Sequence, residues 1–515
     1  MNMLSTLVNR MLILITVLGV GISSCSKDHF NINKHPNQPT DSTVTYDIIL
    51  PAALHNTGEM VVRDWGWLQN YMGYWARSGS YAPDLNEETY TITTNSETGI
   101  WNGFYNNNYD YEVMLQKAKV AHADFYEGIA RIMKSHNYQI LVDVYGNIPY
   151  REALKGNINI TPAYDKGVEI YEDLFRQIDT GMALIRNAGT LQSVDIAEND
   201  IMFHGDKEMW MKFGNTLKLR MLIHLHNGMN GSQVVPGIDV NEEISIIQQE
   251  GSGFLMMGET AEVQPGYRSD KPNPFHRTYN SDENGDATFG SAYYRANKWG
   301  VDFYNYVGDP RIAAFYTTVN GNYRGVPYGL PASNENTGDK LSAIGSGLDK
   351  GADMPQWIIT ATESLFLQAE ARHRGLISSG PSAKELWEMA IRENFMWLGD
   401  TDAHAIQFIE DYAGSGYPGL DFDADPMEGI ILQKWFALNG VATFEVWTDY
   451  RRTDYVYGVS IGYDAGPPIS VAPQNTATKV PSRLLYPQTE YNYNATNVGK
   501  EGTVDKYGKL FWDLN

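Results

Sequence analysis

Between residues 164 and 188 the chain reads YDKGVEIYEDLFRQIDTGMALIRNA, where Tyr171, Leu174, Phe175, Ile178, Met182 and Ile185 recur at steps of three and four. That spacing places them on one face of an α-helix. Upstream, Phe125, Ile129, Ile132, Met133, Ile140 and Val144 follow the same period, and further helices are predicted over 100–119, 206–227, 360–376, 382–399, 401–413 and 427–452. Ser382 and Glu385 stand at the spacing of a capping box, which marks a helix start. Alternating strands are nearly absent, which argues against a parallel α/β sheet. Long helices joined by short turns predict an all-α, α-rich chain of helical hairpins of the tetratricopeptide kind, without a strict 34-residue repeat. The segment 251–357 breaks this pattern, being dominated by Gly, Asn, Asp, Pro and Tyr. Loops of that length inside a compact protein are functional or disordered, and aromatic content disfavours disorder.

What closes such a core depends on the cysteines, and there is only one among 515 residues, Cys25. No disulfide is available, so hydrophobic packing must hold the fold, and 43% hydrophobic residues permit it. Cys25 follows Arg10, an apolar run from Met11 to Val20, and Ile22-Ser23-Ser24. This is the layout of a secretory signal peptide over 1–24. The apolar run is too short to span a bilayer. Ile-Ser-Ser-Cys resembles a bacterial lipobox, in which the cysteine is acylated and anchors the mature chain, 25–515, to a membrane. Ser26-Lys27-Asp28 resembles the charged export signal of surface lipoproteins. The formal charge of −23 argues against nucleic acid and against anionic membrane surfaces as partners.

Five fragments, VDVYGNIPYREAL (142–154), WMKFGNTLKLRMLIHL (210–225), ATESLFLQAEARHRG (361–375), IILQKWFALNGVATFEVWTDYRRT (430–453) and VPSRLLYPQTEYNYN (480–494), resemble in order the motifs of the SusD/RagB family of outer-membrane nutrient-binding lipoproteins. The resemblance implies one SusD-like domain over 25–515, with tetratricopeptide-like helix pairs on one side and a loop-rich ligand-binding half on the other. It also implies a non-enzymatic lid on a SusC-like TonB-dependent transporter, facing outward from the outer membrane and binding a glycan or a peptide. The motif helices themselves read as scaffold, with Trp435 and Leu438 spaced from Ile431, and Arg451 and Arg452 closing the same helix where cations suit its dipole.

The binding residues are sought in the loops. Twelve aromatics lie between 65 and 111, interleaved with Asp84, Asn86 and Glu87. A pyranose offers an apolar C–H face and a rim of hydroxyls, so its site needs flat rings beside carboxylates or amides. Trp65, Trp101, Phe104 and Tyr105 read as core. Trp75, Tyr81 and Tyr90 are the candidate platforms, Asp84 and Asn86 the hydroxyl partners, and relatives' use of a later loop adds Phe275, Tyr279 and Tyr323.

Enzymatic motifs are absent: no G-x-S-x-G, H-E-x-x-H, P-loop or dinucleotide fingerprint occurs. His224 and His226 are two apart and share no helix face, so they do not form a helical zinc pair. DENGD at 282–286 starts like a calcium loop, but Ala287 replaces the sixth-position glycine and Tyr293 the final Glu, which favours a plain turn over a calcium site. No cofactor is expected. A glycoside hydrolase remains an alternative because a carboxylate pair leaves no sequence signature, and a peptide binder would use the same scaffold.

Overall fold

The computed structural model describes residues 44–189, 196–227, 232–233 and 237–513. Cys25 and the signal peptide expected over 1–24 lie outside the described residues.

Helices α1 (Tyr46–Met60), α2 (Thr98–Ala121), α3 (Asp124–Tyr145), α4 (Gly167–Asn187) and α5 (Lys207–His224) each pack on the next. Following the short α6 (Val240–Glu250), the stack continues through α7 (Ala361–His373), α8 (Ala383–Trp397), α9 (Asp402–Tyr412) and α10 (Pro426–Ala437), and α11 (Thr443–Thr453) closes it. Here α7 packs on α5, α8 and α10. The fold is α-rich, with tetratricopeptide-like helix pairs, as the periodicity predicts. The apolar face expected of 164–188 is inside, from Tyr171 through Ile185. The starts are set locally: Asp206 accepts from the amides of Glu208 and Met209, Asp425 caps α10 ahead of Pro426, and the Ser382–Glu385 capping box is formed. Gly128 and Gly181 let α3 and α4 approach closely, since a Cβ on either would lie within 2.7 Å of the other's carbonyl oxygen.

One predicted helix is two. The stretch 427–452 breaks between Ala437 and Thr443, where Gly440 takes a left-handed φ of 72° against Leu348 and Trp75. An apolar period carries no information about this turn, because both helices keep their buried face. Arg451 and Arg452 therefore close α11 rather than a continuous helix.

The motif residues form a buried polar network at the centre of the stack. Arg452 donates to both Glu370 oxygens at 2.7 and 2.6 Å and also to Asp449, which in turn pairs with Lys434 at 2.9 Å. His224 lies between Asp143, at 3.0 Å, and Glu445, at 2.9 Å, while Arg220 pairs with Glu363. Burial pulls the His224 pKa down, but Glu445 and Asp143 outweigh it and hold the imidazole above its ordinary range. Trp512 reaches in from the C-terminal segment to donate to Asp143. His226 is pushed down to about 4 by burial and Arg374.

The other half is built from short pieces. Strand Trp75–Arg77 pairs antiparallel with Tyr294–Ala296, and Ala261–Val263 with Gln356–Ile359. Tyr74 stacks on Trp435 at 4.7 Å and donates to its carbonyl, which locks this half onto α10.

Candidate functional site

Four of the eight residues chosen as ligand contacts are core. Trp75 is fully buried, with Tyr279 edge-on at 5.0 Å. Tyr90 is buried against Tyr71 and Tyr328, and its hydroxyl accepts from the Ser470 amide. Phe275 packs on Tyr279 and Trp357, and Tyr279 donates to the Val62 carbonyl. These rings present no face to solvent, so their assignment as platforms is corrected. The physical reason is that this half lacks long helices and is closed largely by its own rings. Trp65, Trp101 and Phe104 are buried as expected, whereas Tyr105 is half-buried.

Tyr81, Asp84, Asn86 and Tyr323 remain accessible. Tyr81 is half-buried and belongs to a cluster that the sequence reasoning missed. Phe289 meets it at 5.4 Å edge-on and stacks on Tyr293 at 4.8 Å, yet is itself 64% exposed. The Phe289–Tyr293 helix begins at Thr288, whose hydroxyl accepts from the Ser291 amide. Arg295, one strand position beyond, is held by the Gly338, Ser291 and Tyr294 carbonyls. Burial lowers its pKa while the neighbouring Tyr81 and Asp339 oppose that. The only sequence signal for Phe289 was an isolated ring in a Gly- and Asp-rich loop. Tyr323 sits at the edge of the main core.

Behind Tyr81 the chain forms a short Asp84-capped turn, Leu85–Glu88, and borders a cleft of about 250 Å³. Asp84 accepts from the amides of Asn86 and Glu87, so one of its oxygens is already engaged. Glu87 accepts from Asn70 at 2.6 Å and Tyr328 at 3.2 Å. Burial raises Glu87 to about 7, and burial with the charges of Glu87, Asp64 and Asp84 raises Glu97 to about 8. The Tyr293 hydroxyl is pushed up by burial and then by Glu87 and Glu88, so the ring cluster and the cleft adjoin electrostatically.

At 282–286 the Asp282 carboxylate accepts from the Asn284 and Asp286 amides within a tight turn. Among the described residues no group of three or more His, Cys, Asp or Glu could hold a metal ion. None of their helices is long and apolar enough to cross a membrane.

A stacked helical scaffold of the tetratricopeptide-like class thus carries the exposed Phe289 ring near a polar cleft. The SusD-like family model, described as starch-binding and associating with the outer membrane, matches residues 36–487, and the chain belongs to that family. Its fold is similar to that of a chitin-binding SusD homolog from Flavobacterium johnsoniae (TM-score 0.69, 22% identity, covering 90% of this chain and 98% of that one). It is also similar to a SusD/RagB family protein from Bacteroides thetaiotaomicron (TM-score 0.72, 19% identity, 92% and 99%). A SusD homolog from Bacteroides fragilis matches with a TM-score of 0.69 at 19% identity, covering 91% and 99%. No curated protein matches the chain by sequence.

Proposed function

We propose that this chain is a cell-surface binding protein for a nutrient glycan, anchored to the outer membrane through lipid on Cys25, and that it binds sugar without cleaving it. The observation that carries the reading is Phe289. A ring exposed over 64% of its surface, stacked on Tyr293 and braced edge-on by Tyr81, offers the flat apolar face that a pyranose needs. Asp84 and Asn86 nearby, with Arg295 and Asp339, supply hydroxyl partners of both hydrogen-bonding kinds. Family membership and the chitin-binding relative support a polysaccharide as the ligand class.

Calorimetric titration with a panel of neutral oligosaccharides tests it. Phe289→Ala is expected to weaken binding about tenfold, equivalent to about 1.4 kcal/mol, with folding unchanged. Unchanged affinity for a sugar the wild type binds would place the site elsewhere. A surface binder cannot itself move its ligand across a membrane, so delivery falls to a TonB-dependent transporter that this chain covers as a lid. Mild-detergent purification is expected to recover both proteins, and Cys25→Ala to release the chain from the membrane. Recovery of the chain alone from cells expressing the transporter would count against the lid.

A further inference from the structure

In the loop half His276 stands between two side chains. Its Nδ1 lies 2.8 Å from an Asp349 carboxylate oxygen, and its Nε2 lies 2.9 Å from the Ser281 hydroxyl oxygen. An ionised carboxylate only accepts, so in the neutral ring Nδ1 carries the proton and Nε2 is left to accept from Ser281. Asp349 is itself held, since its second oxygen accepts from the Asn280 side-chain amide and its first also accepts from the Gly351 N–H. The His276 side chain is only 12% exposed, whereas Ser281 is half-buried and its hydroxyl has no other partner among the described residues. A chain reversal builds the contact: the Asn280 and Ser281 amides both donate to the His276 carbonyl, which returns the serine to the ring. Asp349 arrives from 73 positions away. Nucleophile, base and orienting acid of acyl transfer stand in this relation, which is recognised by geometry and not by order in the chain. Ser281 also lies beside the exposed ring. It pairs antiparallel with Ala287, and the amide of Thr288, the residue before Phe289, donates to the Asn280 carbonyl. Strand spacing puts Ser281 and Phe289 roughly 10 Å apart.

We propose that Ser281, His276 and Asp349 form a hydrolytic site that removes O-acyl groups from sugar units held at Phe289. The substrate class, sugar esters, rests on the glycan reading above; the nucleophile does not. His276 Nε2 takes the hydroxyl proton as Ser281 Oγ attacks the ester carbonyl carbon. The bond from that carbon to the sugar oxygen breaks, the proton passes from His276 to the sugar oxygen, and the acyl group stays on Oγ. Water then attacks the acyl carbon and gives a proton to His276, and the carboxylic acid leaves as Oγ recovers that proton. No glycosidic bond takes part, so the glycan chain stays whole. The Asp282 amide, next after the nucleophile, is bonded to the Asp286 carbonyl, whereas the Glu283 amide bonds to no acceptor among the described residues and is the turn's open donor for the oxyanion. With one backbone donor in place of the usual pair, turnover is slow, because each such donor is worth about a hundredfold or more in rate.

The test uses the full chain, with Ser281→Ala purified in the same way beside it. A fluorophosphonate probe is expected to label the wild type at Ser281, as located by peptide mass spectrometry, and to label His276→Gln at least about tenfold more slowly. Hydrolysis of p-nitrophenyl acetate should fall about a hundredfold in Ser281→Ala, whose melting temperature should stay nearly unchanged because only a half-buried hydroxyl is lost. Acetate release from O-acetylated forms of the neutral oligosaccharide panel should show saturation and the same dependence on Ser281. An unlabelled Ser281, or ester hydrolysis equal in the wild type and Ser281→Ala, would overturn the inference, reduce the three side chains to a structural link and leave the glycan reading intact. Labelling that is as fast in His276→Gln would overturn it as well, since the imidazole would then not activate the serine. Labelling of Ser281 without acetate release from any acetylated oligosaccharide would overturn the sugar-ester assignment, and would reach the glycan reading only if the neutral panel failed to bind.

Discussion

In the helical half several buried ion pairs join into one network, whereas in the loop half the buried pairs Arg77–Glu88 and Arg311–Asp309 stand in separate places and buried rings do most of the closing. Arg220, Arg452, Glu370 and Glu445 are almost wholly buried in the stack, each paired with an opposite charge. Across the molecule Trp75, Tyr90, Phe275 and Tyr279 fill the interior, and the polar groups near Phe289 face outward. Regular helices satisfy their own backbone and have room for a paired ionic layer. Short segments must instead close over something bulky, and aromatics bury the most area per residue. Exposure is therefore the informative property of a loop-side ring. Phe289 has it at 64%, Tyr81 has it in part, and Tyr293 does not.

Arg452→Ala attacks the first half of this comparison and has the largest expected effect. It removes the cation that Glu370 and Asp449 share and leaves them only Arg374 and Lys434, and chemical denaturation should show a loss of about 3–5 kcal/mol. A loss within the range of a surface substitution would mean the network is not a unit. Tyr279→Ala probes the other half: a core ring should cost about 3–4 kcal/mol in the same measurement, with sugar affinity unaffected in the protein that remains folded.

Glu97→Gln sharpens the boundary between the halves. Folded Glu97 titrates near 8 and Glu87 near 7, above the usual value for an unfolded glutamate of about 4.3. The folded state thus holds protons more tightly than the unfolded state. The stability this contributes is complete below about pH 4 and is lost as pH rises through 7 to 8. The substitution should accordingly stabilise the protein by about 1–3 kcal/mol near pH 9, and the gain should fade toward pH 5. A pH-independent difference would mean Glu97 is not held in its protonated form. The smallest effect is expected from Phe289→Ala, whose melting curve should shift by no more than about 0.5 kcal/mol in stability. A drop as large as that of Tyr279→Ala would make Phe289 core and erase the contrast.

The local signals in the sequence carried the scaffold. Helical period and the Ser382–Glu385 box depend on residues a few positions apart, so α4 and α8 were legible from one stretch each, whereas α10 and α11 read as a single helix over 427–452. The family motifs were legible too, as scaffold, although nothing in them revealed that Arg452 would meet Glu370 across 82 positions. Tertiary structure alone decided which rings are covered. Tyr90 sits in a polar stretch, yet Tyr328 and Ser470 enclose it from far along the chain. Burial is a property of what arrives from elsewhere. The same holds for Glu97, whose raised pKa comes from burial and from Glu87, Asp64 and Asp84. The sequence by itself determined an α-rich stack and the order of its helices, because hydrogen bonding and side-chain period act over one or two turns. The exposed face of Phe289 and the unpaired carboxylate of Glu97 arose only when distant segments packed, since desolvation depends on the whole neighbourhood of an atom.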